Sequence, residues 1–185
     1  NVVAVSDSKG GIIKKGADER SEGARLQGEA ADKGGWSGLI PLDIPLVLDC
    51  KLEKGSLAGC YCAGGVCDTR GGQLISNEEL LQLSVDILVP AALEDVVNES
   101  NMQNIKAKII IEMANGPVTP KAHHYLSEKG VIIVPDILAN SGGVSASYIE
   151  WEQNMKSKKY KKDVVLKRLE GIMKNAFARV WQTSL

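Results

Sequence analysis

Residues 108–136 read KIIIEMANGPVTPKAHHYLSEKGVIIVPD, and this stretch decides the fold class. Two short apolar runs, Lys108 to Ile111 and Val131 to Val134, flank one helical segment. Thr119 is placed to cap that helix, Pro120 suits its first position, and Gly130 lies just past its end. Neither run alternates apolar with polar, so each predicts a strand buried on both sides. Strand, helix and strand in that order is the pattern of a parallel crossover.

Working outward, Asp86 to Val89 predicts a further strand stopped by Pro90, and Val2 to Ser6 another short buried one. Before the former, SNEELLQL carries a capping box: Ser76 and Glu79 each satisfy a free amide at a helix start. LDIPLVLDCKLEKG predicts a helix ended by Gly55, with Pro45 inside it. From Asp163 the helical period is plain, with Val165, Leu166, Leu169, Ile172, Met173, Ala176, Phe177 and Val180 on one face. The expected fold is α/β: a mostly parallel, Rossmann-like sheet with helices on both faces, plus a C-terminal helix. Residues 1–150 form the expected nucleotide-binding domain and 151–185 a helical segment. Within the former, 14–38 (KKGADERSEGARLQGEAADKGGWSG) is rich in Gly, Ala and charge and reads as a loop insertion.

Composition bounds the function. The 185 residues are 44% hydrophobic and 24% charged, with a net charge of −1. Such a chain is globular, without a bulk field toward nucleic acid or anionic membrane. No apolar run approaches the ~18 residues of a membrane span. No secretory leader is visible. Cys50, Cys60, Cys62 and Cys67 lack the paired spacing of a zinc site and read as reduced thiols, which points to the cytoplasm. Adjacent His123 and His124 point about 100° apart on a helix and read as surface residues. KSKKYKK (156–162) reads as a solvated turn between helices, and Trp36 supports no claim.

Open parallel sheets bind ligands at the carboxyl ends of their strands. The segments there are PAALE (90–94), EMANGPVTP (112–120) and PDILANSGGVSASYIEW (135–151). All three combine small residues with an amide, carboxylate or hydroxyl. Small residues let a flat ligand approach the backbone, and Asn115 and Asn140 can each donate and accept. Gly142 and Gly143, ahead of a helical pattern, offer amides suited to an anion.

Together with VVAVSDSKGGI (2–12), these motifs resemble the nucleotide-binding domain of hexameric glutamate dehydrogenases. The SYIEW continuation (147–151) distinguishes it from the related leucine and phenylalanine dehydrogenases; a leucine-, phenylalanine- or valine-type dehydrogenase remains an alternative, together with a non-catalytic nucleotide-binding or oligomerisation module. The resemblance implies NAD or NADP as cofactor, and reversible oxidative deamination of glutamate to 2-oxoglutarate and ammonia. It implies Asp7, with Ser8 beside it, at the adenosine ribose, and Ala91 and Ala92 along the cofactor. It implies Asn115 beside the nicotinamide ribose and Asn140 at the carboxamide. Gly143, Val144 and Ser147 would line the substrate, with the Ser147 hydroxyl on its distal carboxylate.

The family's glycine-rich turn should lie about 20 residues before Asp7, and its catalytic lysines and aspartate in a preceding domain. The expectation is therefore an incomplete Rossmann-like unit without its first strand and glycine turn. Such a chain binds cofactor weakly and does not turn over glutamate alone, and no catalytic residue is assigned in it. Met113 stands where the family has glycine, and Ser145-Ala146 where Thr-Val is usual. Asp7 favours NAD, while Lys9, Lys14 and Lys15 could meet a 2′-phosphate. A small-molecule substrate, no nucleic acid or membrane, and a homo-oligomer, a hexamer in the family, complete the expectation.

Overall fold

The computed structural model describes residues 1–14, 38–57, 60, 62–63, 66–67 and 73–184. Most of the 14–38 segment, with Lys15 and Trp36, lies outside the described residues. The chain divides into two compact units, Asn1–Ser84 and Val85–Leu185.

In the first unit, β1 (Ala4–Asp7) turns through Ser8-Lys9 into β2 (Gly10–Ile13), and β2 pairs in turn with β5 (Gln73–Ile75). Both pairings are antiparallel, which corrects the expectation that the N-terminal strand joins a parallel sheet. Nor is β1 the buried strand. It is an edge, with Val2 just before it 45% exposed, while β2 is buried along its whole length. Gly10 and Gly11 begin β2. A side chain at Gly11 would press within 2.9 Å of Ser6 Cβ and Val5 O, so the hairpin closes only with glycine there.

Helix α1 (Ile44–Lys54) starts where Asp43 accepts the Leu46 N–H at 3.2 Å. Pro45 sits in its first turn, where its missing N–H costs nothing. Gly55 ends it at φ 73°, returning its N–H to Lys51 O. Val47 of α1 joins Ile12, Leu42 and Leu57 in a buried apolar cluster, with Val5 packed against it. Between β2 and β5, β3 (Cys62–Ala63) and β4 (Val66–Cys67) pair antiparallel; their side chains lie outside the described residues. The Ser76–Glu79 capping box is present on α2 (Asn77–Leu81).

The cysteines depart from the reading as reduced thiols. Cys50 and Cys60 form a disulfide, both buried. Spacing alone does not reveal it, because the chain must fold back past Gly55 to bring the sulfurs together.

The second unit holds the parallel sheet. β6 (Ile87–Leu88), β7 (Ile109–Ile111) and β8 (Ile132–Val134) lie in that order with β7 central. Helix α3 (Pro120–Glu128) makes the crossover from β7 to β8. Thr119 caps it at Ala122 N, and it buries Ala122 and Leu126. Leu88 and Ile110 pack inward, at 5% and 0% exposure. The other face differs from the expectation of helices on both sides: Ile87 and Ile132 are 50% and 54% exposed. "Mostly parallel" therefore holds for this sheet and not for the strands of the first unit.

After β8 come α4 (Asp136–Ala139), α5 (Ser141–Met155) and α6 (Lys162–Thr183). Glu152 of α5 binds Arg168 of α6 at 2.6 Å and also pairs with Lys156. The lysine-rich 156–161 segment is the turn between α5 and α6. The expected stripe on α6 is half-buried at Val165, Leu169, Ile172, Met173, Ala176 and Val180, while Leu166 and Phe177 are exposed.

Candidate functional site

Three loops leave the carboxyl ends of β6, β7 and β8, and backbone hydrogen bonds stitch them together. Pro90 O accepts from Met113 N (3.0 Å) and Ala114 N (2.9 Å), joining the first loop to the second. Further along, Asp95 N donates to Gly116 O and Val97 N to Pro117 O, each at 2.9 Å. Glu112 N donates to Val134 O at 3.1 Å, joining the second loop to the third. Ala91 and Ala92 are thereby held beside the Asn115 turn, and both are exposed.

Asn115 and Asn140 meet directly. Asn140 Nδ2 donates to Asn115 Oδ1 at 2.8 Å, with a longer contact to Ala114 O at 3.4 Å. Asn140 precedes α5 without capping it through its side chain, so its amide is committed to the neighbouring loop. Among the described residues, Asn115 Nδ2 and Asn140 Oδ1 take no hydrogen bond. The pair thus offers one free donor and one free acceptor.

Gly142 and Gly143, read as a turn before a helix, lie inside the first turn of α5. Gly143 and Ser147, four residues apart, share a helix face. Gly143, Val144 and Ser147 are all exposed, Val144 at 68%.

Two carboxylates of this site carried no role in the sequence reading. Glu112 is only 6% exposed and accepts the Asp136 N–H at 2.9 Å. Burial pushes its carboxyl up from the ordinary range; the Asp136 hydrogen bond and His123 oppose this, and the Asp136 charge adds to it. Asp136 Oδ2 accepts the Gly116 N–H at 2.8 Å, and Oδ1 accepts from Ile137 N. A carboxylate within two residues of the end of an apolar strand run, directly after it for Glu112 and beyond Pro135 for Asp136, is the sequence signal that marks both.

Asp7 and Ser8 belong to the first unit. Asp7 Oδ1 accepts from Lys9 N at 3.0 Å, and Oδ2 from Leu57 N (2.8 Å) and Lys51 Nζ (3.1 Å). The Lys9 hydrogen bond, then those of Leu57 and Lys51, hold this carboxyl below its usual range against partial desolvation. Lys51 was not legible as its partner. Oδ1 accepts one bond, which leaves it a second acceptor position. Ser8 is exposed in the hairpin turn.

His123 and His124 are exposed, His124 lying 3.4 Å from Glu128. Among the described residues no three His, Cys, Asp or Glu groups gather to hold a metal, and no helix is long and apolar enough to cross a membrane. A depression of about 430 Å³, lined by Lys106, Lys108, Tyr125 and Lys129 among others, lies at the amino ends of β7 and β8. It is away from the asparagine pair.

The chain as a whole is similar to known proteins. The chain is 41% identical over 180 residues to an NADP-specific glutamate dehydrogenase of Synechocystis sp., covering 97% of this chain and 36% of that protein. It is 38% identical over 162 residues to a catabolic NAD-specific glutamate dehydrogenase of Bacillus subtilis, covering 88% and 36%. The chain thus spans about a third of the length of these curated relatives. The hetero-hexameric glutamate dehydrogenase of Thermus thermophilus, solved with leucine bound, superposes with a TM-score of 0.60 at 29% identity, covering 72% of this chain and 29% of that one. A family profile described as Glutamate/Leucine/Phenylalanine/Valine dehydrogenase matches residues 1–185. The chain belongs to the glutamate/leucine/phenylalanine/valine dehydrogenase family.

Proposed function

We propose that this chain is the cofactor-holding portion of an NAD- or NADP-dependent glutamate dehydrogenase. The observation that carries the reading is the asparagine pair at the carboxyl end of the parallel strands. Its free donor, Asn115 Nδ2, and free acceptor, Asn140 Oδ1, are complementary to a primary carboxamide, the polar group of a nicotinamide ring. Exposed Ala91 and Ala92 leave the approach open to a flat ligand.

In this reading Asn115 and Asn140 hold the nicotinamide end, and Asp7 and Ser8 the adenosine ribose. Gly143, Val144 and Ser147 line the substrate. A hydroxyl at Ser147 suits the distal carboxylate of glutamate, since a site built to hydrogen-bond a polar group discriminates against apolar analogues. The cofactor, when bound, supplies hydride acceptance. This chain's residues orient the ring and hold the amide. Residues 1–150 serve as a partial Rossmann-type domain and 151–185 as a helical segment. Both cofactor classes stay within the proposal, because the relatives carry both names. Assembly into a hexamer belongs to the same reading, as the Thermus thermophilus neighbour is hetero-hexameric.

The test is titration of the purified chain with NADH and NADPH, followed by reduced-nicotinamide fluorescence. Saturable binding that is lost in the Asn115→Ala, Asn140→Ala double variant supports the proposal. Unchanged binding in that variant overturns it. Steady glutamate-dependent NADH production by the chain alone would show that a catalytic group has gone unassigned.

A further inference from the structure

We propose that Asp136 and Glu112 are positioning residues for the nicotinamide end of the site, acting through Gly116 and the Asn115–Asn140 pair. The inference rests on the cofactor reading above and goes beyond it, because neither carboxylate touches the free donor or the free acceptor of the pair.

The geometry begins where the sheet ends. Glu112 N is the last β7 donor to β8, reaching Val134 O at 3.1 Å. Beyond it the chain after β8 turns through Pro135, and the Asp136 N–H has no strand carbonyl ahead of it. The Glu112 side chain supplies the acceptor instead, at 2.9 Å. Asp136 in turn reaches back with Oδ2 to Gly116 N at 2.8 Å. Two carboxylates therefore tie the β7 and β8 loops in both directions, one through each loop's backbone amide.

Gly116 holds a left-handed φ of 54°. With its N–H bound by Asp136, the peptide between Asn115 and Gly116 has one orientation, and Asn115 is its residue. Beyond β8, Asp136 lies one helical turn before Asn140, whose N–H donates to Asp136 O at 3.1 Å. The same residue thus fixes the backbone on both sides of the amide pair.

Glu112 is an expensive way to satisfy one amide. It is buried and faces the like charge of Asp136, and only the Asp136 N–H hydrogen bond and, less, His123 of α3 offset this. An apolar residue there would avoid the desolvation but leave the Asp136 N–H unpaired. The arrangement is what a site needing a set loop geometry requires.

The experiment compares NADH with ADP-ribose on the full chain, alongside deuterium exchange at the Gly116 amide. Asp136→Ala is expected to raise Gly116 exchange and weaken NADH about tenfold, the scale of a lost charge-assisted hydrogen bond, while ADP-ribose is unaffected. Asp136→Asn, which keeps an acceptor, should fall between, and covers the case in which Asp136→Ala does not fold. Glu112→Gln should retain NADH affinity because its carbonyl still accepts the Asp136 N–H, whereas Glu112→Ala should not. Equal weakening of NADH and ADP-ribose, or unchanged Gly116 exchange, overturns the proposal. If the unaltered chain binds no NADH, the cofactor reading fails. Exchange at Gly116 and at the two asparagine side-chain amides then decides whether Asp136 positions the pair: protection lost in Asp136→Ala upholds this action, and protection kept overturns it.

Discussion

Asn140 Nδ2 donates to Asn115 Oδ1 at 2.8 Å, joining two residues 25 positions apart that lie at the ends of neighbouring parallel strands. The bond uses one donor and one acceptor and leaves one of each without a partner among the described residues. Its consequences can be measured.

Removing the pair should affect binding more than folding. Asn115 is exposed, so in Asn140→Ala water replaces the lost partner. The expected stability change is within about 0.5 kcal/mol, as for most surface substitutions. NADH affinity should fall by about tenfold, the scale of one well-placed hydrogen bond. Thermal melts and fluorescence titration of the same variant separate the two effects.

Asp7 should make the first unit sensitive to acid. Its folded carboxyl is held below the usual range, chiefly by the Lys9 amide and then by Leu57 and Lys51. Such a group adds stability that is present above its unfolded value and is lost as pH falls through its folded one. Urea midpoints taken from pH 6 down to pH 2 should therefore drop, and drop less steeply in Asp7→Asn. A parallel decline in both proteins would show that Asp7 does not contribute.

Glu112 should act with the opposite sign. Its folded carboxyl is raised, mainly by burial. Its contribution is complete below the unfolded value and is lost as pH rises through the folded one. Glu112→Gln, a mimic of the protonated form, should be more stable than the unaltered chain at neutral pH. The difference should close as the pH falls toward 4, in denaturant titrations at each pH.

The disulfide should support the first unit. Cys50 and Cys60 are ten residues apart, and closing a loop of that size restricts the unfolded chain by about 3 kcal/mol. Among the described residues, the bridge also encloses both distant donors to the Asp7 carboxylate, since Lys51 and Leu57 lie within the closed loop. Reduction, or Cys50→Ala with Cys60→Ala, should lower the unfolding midpoint. It should also raise deuterium exchange at the Leu57 amide. Iodoacetamide labelling before and after reduction checks that the bridge was present.

Local chemistry made much of this chain legible. Ser76 and Glu79 lie three residues apart, so their reciprocal capping could be read directly. Thr119, Pro120 and Gly130 bounded α3 in the same way. The apolar runs at 108–111 and 131–134 became β7 and β8, since unalternating runs joined by a helix admit few other arrangements. Asn115, Asn140 and the small residues near them were singled out because open parallel sheets bind ligands beyond their strand ends.

The sequence by itself determined where helices start and stop, which runs become strands, and which small and amide-bearing segments follow them, because each depends on residues within a turn or two of one another. Only the tertiary structure decided that β1 pairs antiparallel with β2, because an apolar run carries no direction. Only it joined Cys50 to Cys60, set Lys51 against Asp7, and ran Glu112 through Asp136 to Gly116. Those partners lie 10 to 44 residues apart, and such pairings depend on how the chain folds back rather than on the spacing along it.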